Sequence, residues 1–245
     1  MKIPKSHPRY ESLKTRELII KGIKEGITSI HGLIAHGRGE SFDYLLGERT
    51  NEFAKKSIET AAALLLLAKH PVISVNGNAA ALVPKELTKL SKLLKCPLEI
   101  NIFHKSKLRE LRIKNHLKKY GAKNVLLPQK NAKVKFLESN RRYINPDGIL
   151  KADIVFVPLE DGDRTEALIK NGKKVVTIDL NPLSRTAQKA TITIVDNIIR
   201  AMPLLINKIK QCKKYNKEEL KKIIIRYSNK RNLKNGLKDM LQNLS

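Results

Sequence analysis

The sequence predicts an α/β protein with a doubly wound, mainly parallel, Rossmann-like sheet, preceded by helices and followed by a basic helical tail. Apolar runs of strand length alternate along the middle of the chain with segments whose apolar residues recur at helical spacing. This alternation is typical of successive βαβ units, which build parallel sheets. Polar residues and glycines follow several of the apolar runs, as they do where ligands bind at the carboxyl ends of parallel strands.

Helical patterns come first in the chain. Residues 8–26 are predicted to form an amphipathic helix, because apolar residues recur there at helical spacing: Leu13, Ile20, Ile23 and Ile27. The next segment, GLIAHGRGE (residues 32–40), is glycine-rich and is predicted to be irregular. Thr50 is predicted to cap a long helix that ends near His70, since a threonine hydroxyl can accept a hydrogen bond from the first helical turn.

The sheet is predicted from six apolar runs: VISV (72–75), LEINIF (98–103), NVLL (124–127), DIVFV (153–157), VVTIDL (175–180) and TITIV (191–195). Helices are predicted between them, one with Pro84 in its first turn, one near residues 105–119 and one over TEALIKN. A last helix is predicted to be capped by Asn197 and to run toward Lys214. The polar stretch 128–151 contains the turn signal NPDG and is predicted to be an excursion from the alternation.

The domain prediction follows from these elements. Residues 1–214 are predicted to form a single α/β domain, and residues 215–245 a basic helical extension. The longest purely apolar run, residues 61–68, has 8 residues, whereas roughly 20 are needed to span a bilayer. The first residues do not resemble a signal peptide. We therefore expect a cytoplasmic protein with no membrane partner.

The charge of the chain needs an explanation. Forty-nine Lys and Arg residues against 23 acidic ones give a formal net charge of +26, which makes nucleic acid the first partner to consider. Residues 207–245 alone hold 12 basic residues and 3 acidic ones. Aromatic residues make up only 4% of the chain and tryptophan is absent, so the stacking platform typical of single-strand binders is missing. Anionic small molecules explain part of the charge equally well, and nucleic acid is not expected as a partner.

Polar loops follow four of the predicted strands. NGN (76–78), PLEDGDR (158–164), DLNPLSRT (179–186) and DN (196–197) come directly after apolar runs. Each loop taken alone is also explained as an ordinary turn. Because the carboxyl ends of parallel strands meet at one edge of a sheet, the four together predict a ligand site.

The loop PLEDGDR gathers Glu160, Asp161 and Asp163 in a strongly basic chain. Either it is a solvated turn, or its acids hold something positively charged. Mg²⁺ needs only one or two carboxylates together with phosphate oxygens, and a substrate amine also suits an acidic pocket. The sequence lacks GxxxxGK[ST] and GxGxxG, which excludes a P-loop and the usual dinucleotide fingerprint.

The segment GLIAHGRGE offers a second anchor for an anion. Arg38 lies between Gly37 and Gly39, which predicts a fixed cation on a backbone able to close around a phosphate. His36 is a candidate base, although an isolated histidine is more often structural. The six histidines have no HExxH or similar spacing, so the sequence predicts no metal cage built by the protein.

Taken together, these segments resemble archaeal phosphopantothenate synthetase, the phosphopantoate–β-alanine ligase of coenzyme A synthesis. The resemblance covers roughly residues 1–212, outside the stretch 128–150. It rests on seven blocks: PKSHPRY (4–10), GLIAHGRGE (32–40), FDYLLGERT (42–50), VNGN with ALVPKE (75–86), VPLEDGDRTEAL (157–168), TIDLNPLSR (177–185) and IVDNI (194–198).

The resemblance implies an ATP-dependent ligase that forms 4'-phosphopantothenate through a phosphopantoyl-adenylate and releases AMP and pyrophosphate. It also implies a homodimer that uses ATP. Mg²⁺ is expected with ATP, and the acids of PLEDGDR make Asp161 or Asp163 the candidates to lie near the ion. Carried onto this sequence, it places ATP at Arg16, Arg38, Asp179, Leu180, Asn181, Arg185, Thr186, Asn197 and Ile198. Candidates for substrate binding are His36, Asn76, Asn78 and Arg164, and candidates for catalysis are Arg38, Asn78, Asp161 and Asp163.

Two alternatives stay open at this point. The basic surface and tail would suit an RNA-binding protein, whose affinity would fall steeply with salt. Within enzymes, the strand-end residues would also suit a kinase, or a ligase that passes through an acyl phosphate and releases ADP.

Overall fold

The computed structural model describes residues 3–242. Two sheets and their flanking helices follow one another along the chain. The elements are α1 (Tyr10–Lys24), α2 (Ile30–Leu45), α3 (Glu52–Leu67), β1 (Pro71–Val75), α4 (Gly77–Leu82), α5 (Pro84–Leu94), β2 (Leu98–Ile100), α6 (Lys107–Lys119), β3 (Val125–Leu126), β4 (Gln129–Lys133), β5 (Tyr143–Ile144), β6 (Ile154–Pro158), α7 (Gly162–Lys170), β7 (Lys174–Ile178), α8 (Arg185–Lys189), β8 (Ile192–Ile194), α9 (Ile198–Cys212), α10 (Lys217–Ile225) and α11 (Asn229–Gln242).

The main sheet has six strands in the order β3-β2-β1-β6-β7-β8, all paired in parallel. The chain first builds outward from β1 through β2 to β3, and then returns to place β6 on the other side of β1. In the register, Ile73 of β1 lies opposite Leu98 of β2 and Phe156 of β6. The strand order reverses between β1 and β6, so this junction is where an α/β sheet of this kind opens a crevice for ligands. The predicted doubly wound α/β fold is confirmed.

Alternate residues of the central strands face two separate hydrophobic cores. Ile73 and Phe156 face the larger core, which also receives side chains from α3, α5 and α9. Val72 and Val155 face the other core, which contains Ile149 and residues from β4, β5 and α7. Because both faces are covered, the strands are continuous apolar runs, which is why the sequence predicts them well.

The polar stretch 128–151 is an excursion, as predicted. It forms the antiparallel pair β4–β5, a 3₁₀ turn over Asn140–Arg142 and a single π-helical turn over Pro146–Leu150. Glu99 of β2 holds this turn to the main sheet: its carboxylate accepts the backbone N–H of Asn145 at 3.0 Å and that of Ile149 at 2.7 Å. Burial raises the pKa of Glu99 to about 7, because its effect is larger than the lowering by the two N–H donors.

Two predictions about the N-terminal helices are wrong. Residues 32–40 are helical and lie within α2. Gly32 is needed in this helix for close packing and not for backbone freedom, because a Cβ there would lie 2.3 Å from the side-chain oxygen of Asn78. Thr50 does not cap α3, since Asn51 occupies the capping position and the Thr50 hydroxyl donates to Asp196 at 2.6 Å.

The basic tail packs against the domain. Helix α10 lies on α3, and α11 contacts α3, α8 and β8. Leu220, Leu233 and Met240 are buried in these contacts. The Asn229 side chain ties the tail to the sheet, because its amide donates to the Ala187 carbonyl at 2.8 Å and its oxygen accepts the Thr193 N–H at 2.8 Å. The tail is therefore helical, as predicted, but shares its core with the preceding elements.

In the part of the chain that the structure describes, no helix combines the length and apolarity that crossing a membrane requires.

The packing of the tail predicts the effect of a single truncation. Leu233→Ala should lower the free energy of unfolding by about 2–5 kcal/mol, the usual cost of a cavity left by a buried leucine. Leu241→Ala on the same helix is the matched control, because Leu241 is exposed and should cost no more than about 0.5 kcal/mol. Urea unfolding of both variants measures this. Equal stabilities would mean that α11 folds apart from the domain.

Candidate active site

A cavity of about 670 Å³ opens at the carboxyl ends of the central strands, and α2 supplies another of its walls. All four polar loops that the sequence predicts to converge reach it. Three predicted residues lie outside its wall: Arg16, Asp163 and Arg164. The predicted residues that line it are His36, Arg38, Asn76, Asn78, Asp161, Asp179, Leu180, Asn181, Arg185, Thr186, Asn197 and Ile198.

The loop after β1 braces the cavity from within. Asn76 caps α4 by accepting the Ala79 N–H at 2.9 Å, and its amide donates to the Leu159 carbonyl at 2.6 Å. Leu159 has a φ of +60°, a conformation that costs energy in a residue with a Cβ. Asn76 thus joins the ends of β1 and β6 and helps to hold a strained turn on the cavity wall.

Asn78 fixes the start of α2. Its amide donates to the Gly32 carbonyl at 2.8 Å, and its oxygen lies 2.5 Å from the Thr28 hydroxyl, which donates to it. Both polar atoms of the Asn78 side chain are therefore committed to the protein. Asn78 therefore fixes the position of α2, the helix that carries Arg38.

The loop PLEDGDR holds positive charge that belongs to the protein itself. Glu160 lies between two arginines, accepting from Arg141 with one carboxylate oxygen and from Arg164 with the other. Arg164 also donates to the Ser74 hydroxyl at 3.1 Å, and Arg141 donates to Asp161 at 2.6 Å. The side chains of Glu160 and Arg164 are both 0% exposed.

This arrangement corrects two expectations. Arg164, a predicted substrate ligand, lies beneath the cavity and neutralises Glu160 there. Glu160 is not available to a metal ion or a substrate amine, because both of its oxygens are occupied by arginines. Asp161 is different: its side chain is about half exposed (49%) and lies on the cavity wall. Among the acids of this loop, Asp161 is the one with an exposed side chain on the cavity wall.

Sequence reasoning missed Arg141. It lies in the polar excursion, where no local pattern separates it from the other basic residues of the chain. Contacts with β2 bring it to the site: the Asn101 amide donates to the Tyr143 carbonyl at 3.0 Å, and Arg141 donates to the Asn101 carbonyl at 3.3 Å. The one available signal was indirect, since a buried glutamate requires a cationic partner.

The polar residues after β7 and β8 are also held by their neighbours. Asp179 accepts the Asn181 N–H at 2.9 Å and the Ser184 hydroxyl, while burial raises its pKa. The nearby positive charge of Arg38 opposes that rise. Asn197 caps α9, as predicted, by accepting the Ile199 N–H at 3.2 Å. These contacts fix the backbone of both loops at the cavity wall.

The inner surface of α2 presents a histidine beside a closed ion pair. Arg16 of α1 pairs with Glu40, with 2.8 Å between nitrogen and oxygen, so it reaches the cavity only through that carboxylate. The Nε2 atom of His36 is buried without a hydrogen-bond partner in the described part of the chain. Burial lowers the pKa of His36, which keeps its imidazole neutral at pH 7.

Comparison with known proteins decides the family. Residues 53–243 match the phosphopantothenate/pantothenate synthetase family. The chain belongs to this family. The chain is 54% identical over 236 residues to the 4-phosphopantoate--beta-alanine ligase of Thermococcus kodakarensis, with 96% of this chain and 90% of that protein covered. It is 50% identical over 242 residues to the enzyme of the same name from Methanosarcina mazei, with 99% and 95% covered.

The family comparison also corrects the extent of the resemblance. The resemblance drawn from the sequence blocks covers roughly residues 1–212, whereas the match to the phosphopantothenate/pantothenate synthetase family continues to residue 243 and includes α10 and α11. This agrees with the packing of both helices against α3. The protein is an enzyme of this ligase family, and its C-terminal helices belong to the family fold.

The buried charges predict a large effect of one substitution. Glu160→Gln leaves Arg164 charged and buried without a counter-ion, which should lower the free energy of unfolding by about 3–5 kcal/mol. Glu166→Gln on α7 is the matched control, because it removes an ion pair with Arg185 that water screens and should have little effect. Chemical unfolding of both variants measures the difference. An equal loss of unfolding free energy in the two variants would show that the buried ion pair contributes no more to stability than the exposed one.

Proposed function

We propose that the protein condenses 4-phosphopantoate with β-alanine, at the expense of ATP, to give 4'-phosphopantothenate for coenzyme A biosynthesis in the cytoplasm. The observation that carries the proposal is the name that its relatives share, 4-phosphopantoate--beta-alanine ligase, at 49–54% identity. The cavity supports it, since about 670 Å³ lies within the range of small-molecule sites. Its position at the strand-order reversal is where α/β sheets bind nucleotides.

The chemistry requires activation of a carboxylate, which is a poor electrophile. In the proposed first step a carboxylate oxygen of phosphopantoate attacks the α-phosphorus of ATP, and the bond to pyrophosphate breaks. In the second step the free amine of β-alanine attacks the acyl carbon, AMP leaves with the electron pair of the C–O bond, and the nitrogen loses a proton. Both steps build negative charge on phosphate oxygens, which fixed cationic donors stabilise.

Arg38 is the residue best placed to meet that charge. It lies on α2 at the cavity wall, close enough to Asp179 to influence its pKa, and it makes no ion pair within residues 3–242. Its planar guanidinium offers several donors that stay charged at any working pH. The Asp179–Asn181 turn and the start of α9 at Ile198 line the same cavity. Holding the substrates in register would supply much of the rate, so a nucleophile–base pair is not required.

Magnesium fits the site as an ion bound together with ATP. Among the described residues there is no group of three or more His, Cys, Asp or Glu side chains able to hold a metal. An ion carried by phosphates needs only one or two carboxylates, and Asp161 offers one at the cavity wall, whereas Asp163 lies outside it. Mg²⁺ would neutralise part of the phosphate charge. The same carboxylate is also suited to the β-alanine ammonium.

The proposal includes a homodimer. Ile30 and Ile34 lie one turn apart on α2 and are both exposed, as is Leu108 on α6. Exposed apolar residues that occur singly are common on monomers, but neighbouring ones favour an interface. A second copy of the chain would cover Ile30 and Ile34. Sedimentation equilibrium measures the mass directly.

Nucleotide products separate the adenylate route from its rivals. We expect AMP and pyrophosphate in a 1:1 ratio with the amide. We also expect the enzyme to exchange labelled pyrophosphate into ATP when phosphopantoate is present and β-alanine is absent, because adenylate formation is reversible. A reaction without phosphopantoate is the control. ADP and free phosphate as products would instead establish an acyl-phosphate route, and ADP with a newly phosphorylated substrate would establish a kinase reaction.

A further inference from the structure

The cavity contains four acids, and each already has a partner. Glu40 pairs with Arg16, Glu160 with Arg141, and Asp161 with Arg141 as well. Asp179 accepts from the Ser184 hydroxyl and a backbone N–H. Glu40, Glu160 and Asp161 are therefore balanced by arginines other than Arg38 and Arg109, whereas Asp179 interacts with the positive charge of Arg38 without forming an ion pair with it.

The four arginines that line the cavity differ in whether a carboxylate pairs with them. Arg141 and Arg185 have carboxylate partners, Glu160 and Glu166. Arg38 and Arg109 form no ion pair within the part of the chain that the structure describes. Arg38 belongs to α2 and faces the turn after β7, whereas Arg109 belongs to α6, which packs beside β2. One cavity thus has two separate unpaired cations.

Two histidines accompany Arg109. Arg109 donates one hydrogen bond to the His104 carbonyl at 2.7 Å, which fixes the loop after β2 and leaves the other guanidinium N–H groups for a ligand. The His104 ring lies 4.9 Å from the His31 ring, centroid to centroid. His31 is in the first turn of α2, a helix of 16 residues whose capping residue, Ser29, makes no side-chain hydrogen bond to it within the described chain. All four residues line the cavity.

We propose that His31, His104 and Arg109 form the subsite for the phosphate of the phosphopantoate substrate. This rests on the proposed function, which brings two phosphorylated molecules into one cavity. A phosphate monoester dianion is recognised by charged, forked donors such as arginine and by the positive end of a helix. Under the proposed function Arg38 meets the charge of the nucleotide, so the second phosphate falls to the other unpaired arginine of the wall, Arg109.

The subsite would make phosphorylation of the substrate a condition of good binding. Unphosphorylated pantoate would leave Arg109 partly desolvated with nothing to bind, and sites built for a polar group reject the analogue that lacks it. The same contact would hold the far end of the substrate, so that its carboxylate points toward the nucleotide end. The wall therefore determines specificity and orientation, and takes no part in bond making.

The test is Arg109→Gln, with Arg112→Gln on the same helix as matched control, since Arg112 is exposed and outside the cavity. We expect the KM for phosphopantoate to rise at least tenfold in Arg109→Gln, with the KM values for ATP and β-alanine within twofold of wild type. The preference for phosphopantoate over pantoate should shrink by a similar factor. Arg109→Lys should recover part of the loss.

Calorimetric titration of the free enzyme with phosphopantoate, without ATP or β-alanine, separates this proposal from the proposed function. Binding that weakens in Arg109→Gln and not in Arg112→Gln supports the subsite, even if the enzyme were to yield a different product. Unchanged binding in a variant with wild-type thermal unfolding overturns it. An equal rise in the KM for ATP also overturns it, because Arg109 would then belong to the nucleotide end.

Discussion

The buried carboxylate of Glu160, held between Arg141 and Arg164, is the interaction on which the site depends. It joins three parts of the fold: the loop after β6, the excursion that carries Arg141, and β1 through the contact of Arg164 with Ser74. A charge in this position is tolerated only with its partners in place, since breaking a buried ion pair is far more costly than never having one. The geometry of the cavity floor is therefore tied to the integrity of these charges.

The same principle explains how a cavity rich in acids can serve anionic substrates. Internal arginines and backbone donors already satisfy Glu40, Glu160 and Asp179, so their charges do not repel phosphate as free acids would. Of the four arginines that line the cavity, Arg38 and Arg109 are then the two that form no ion pair with a carboxylate of the described chain. Under the proposed reaction each would have a phosphate to bind, and the two arginines would help to orient the substrates.

Much of the fold can be predicted from the sequence because its signals are local. Buried parallel strands are continuous apolar runs, and the starts of α5 and α9 follow from the first-turn proline Pro84 and the capping residue Asn197. The helix α2 could not be predicted, because Gly32 is selected by contact with Asn78, 46 residues away. The partners of Glu160 depend likewise on which distant arginine the fold brings close. Four loops predicted the place of the site, and the non-local packing of α2, α6 and the excursion completed it.

Replacement of both buried charges tests this account most directly. Glu160→Leu combined with Arg164→Met removes the ion pair without leaving a lone charge, and apolar replacements of this kind are often neutral or stabilising by about 1–4 kcal/mol. The measurement is the free energy of unfolding together with kcat/KM for the ligase reaction. We predict wild-type stability or better with kcat/KM reduced at least tenfold, because Arg141 and the loop after β6 lose the carboxylate that orients them. A stable double variant with wild-type kcat/KM would contradict the claim that this interaction shapes the active site.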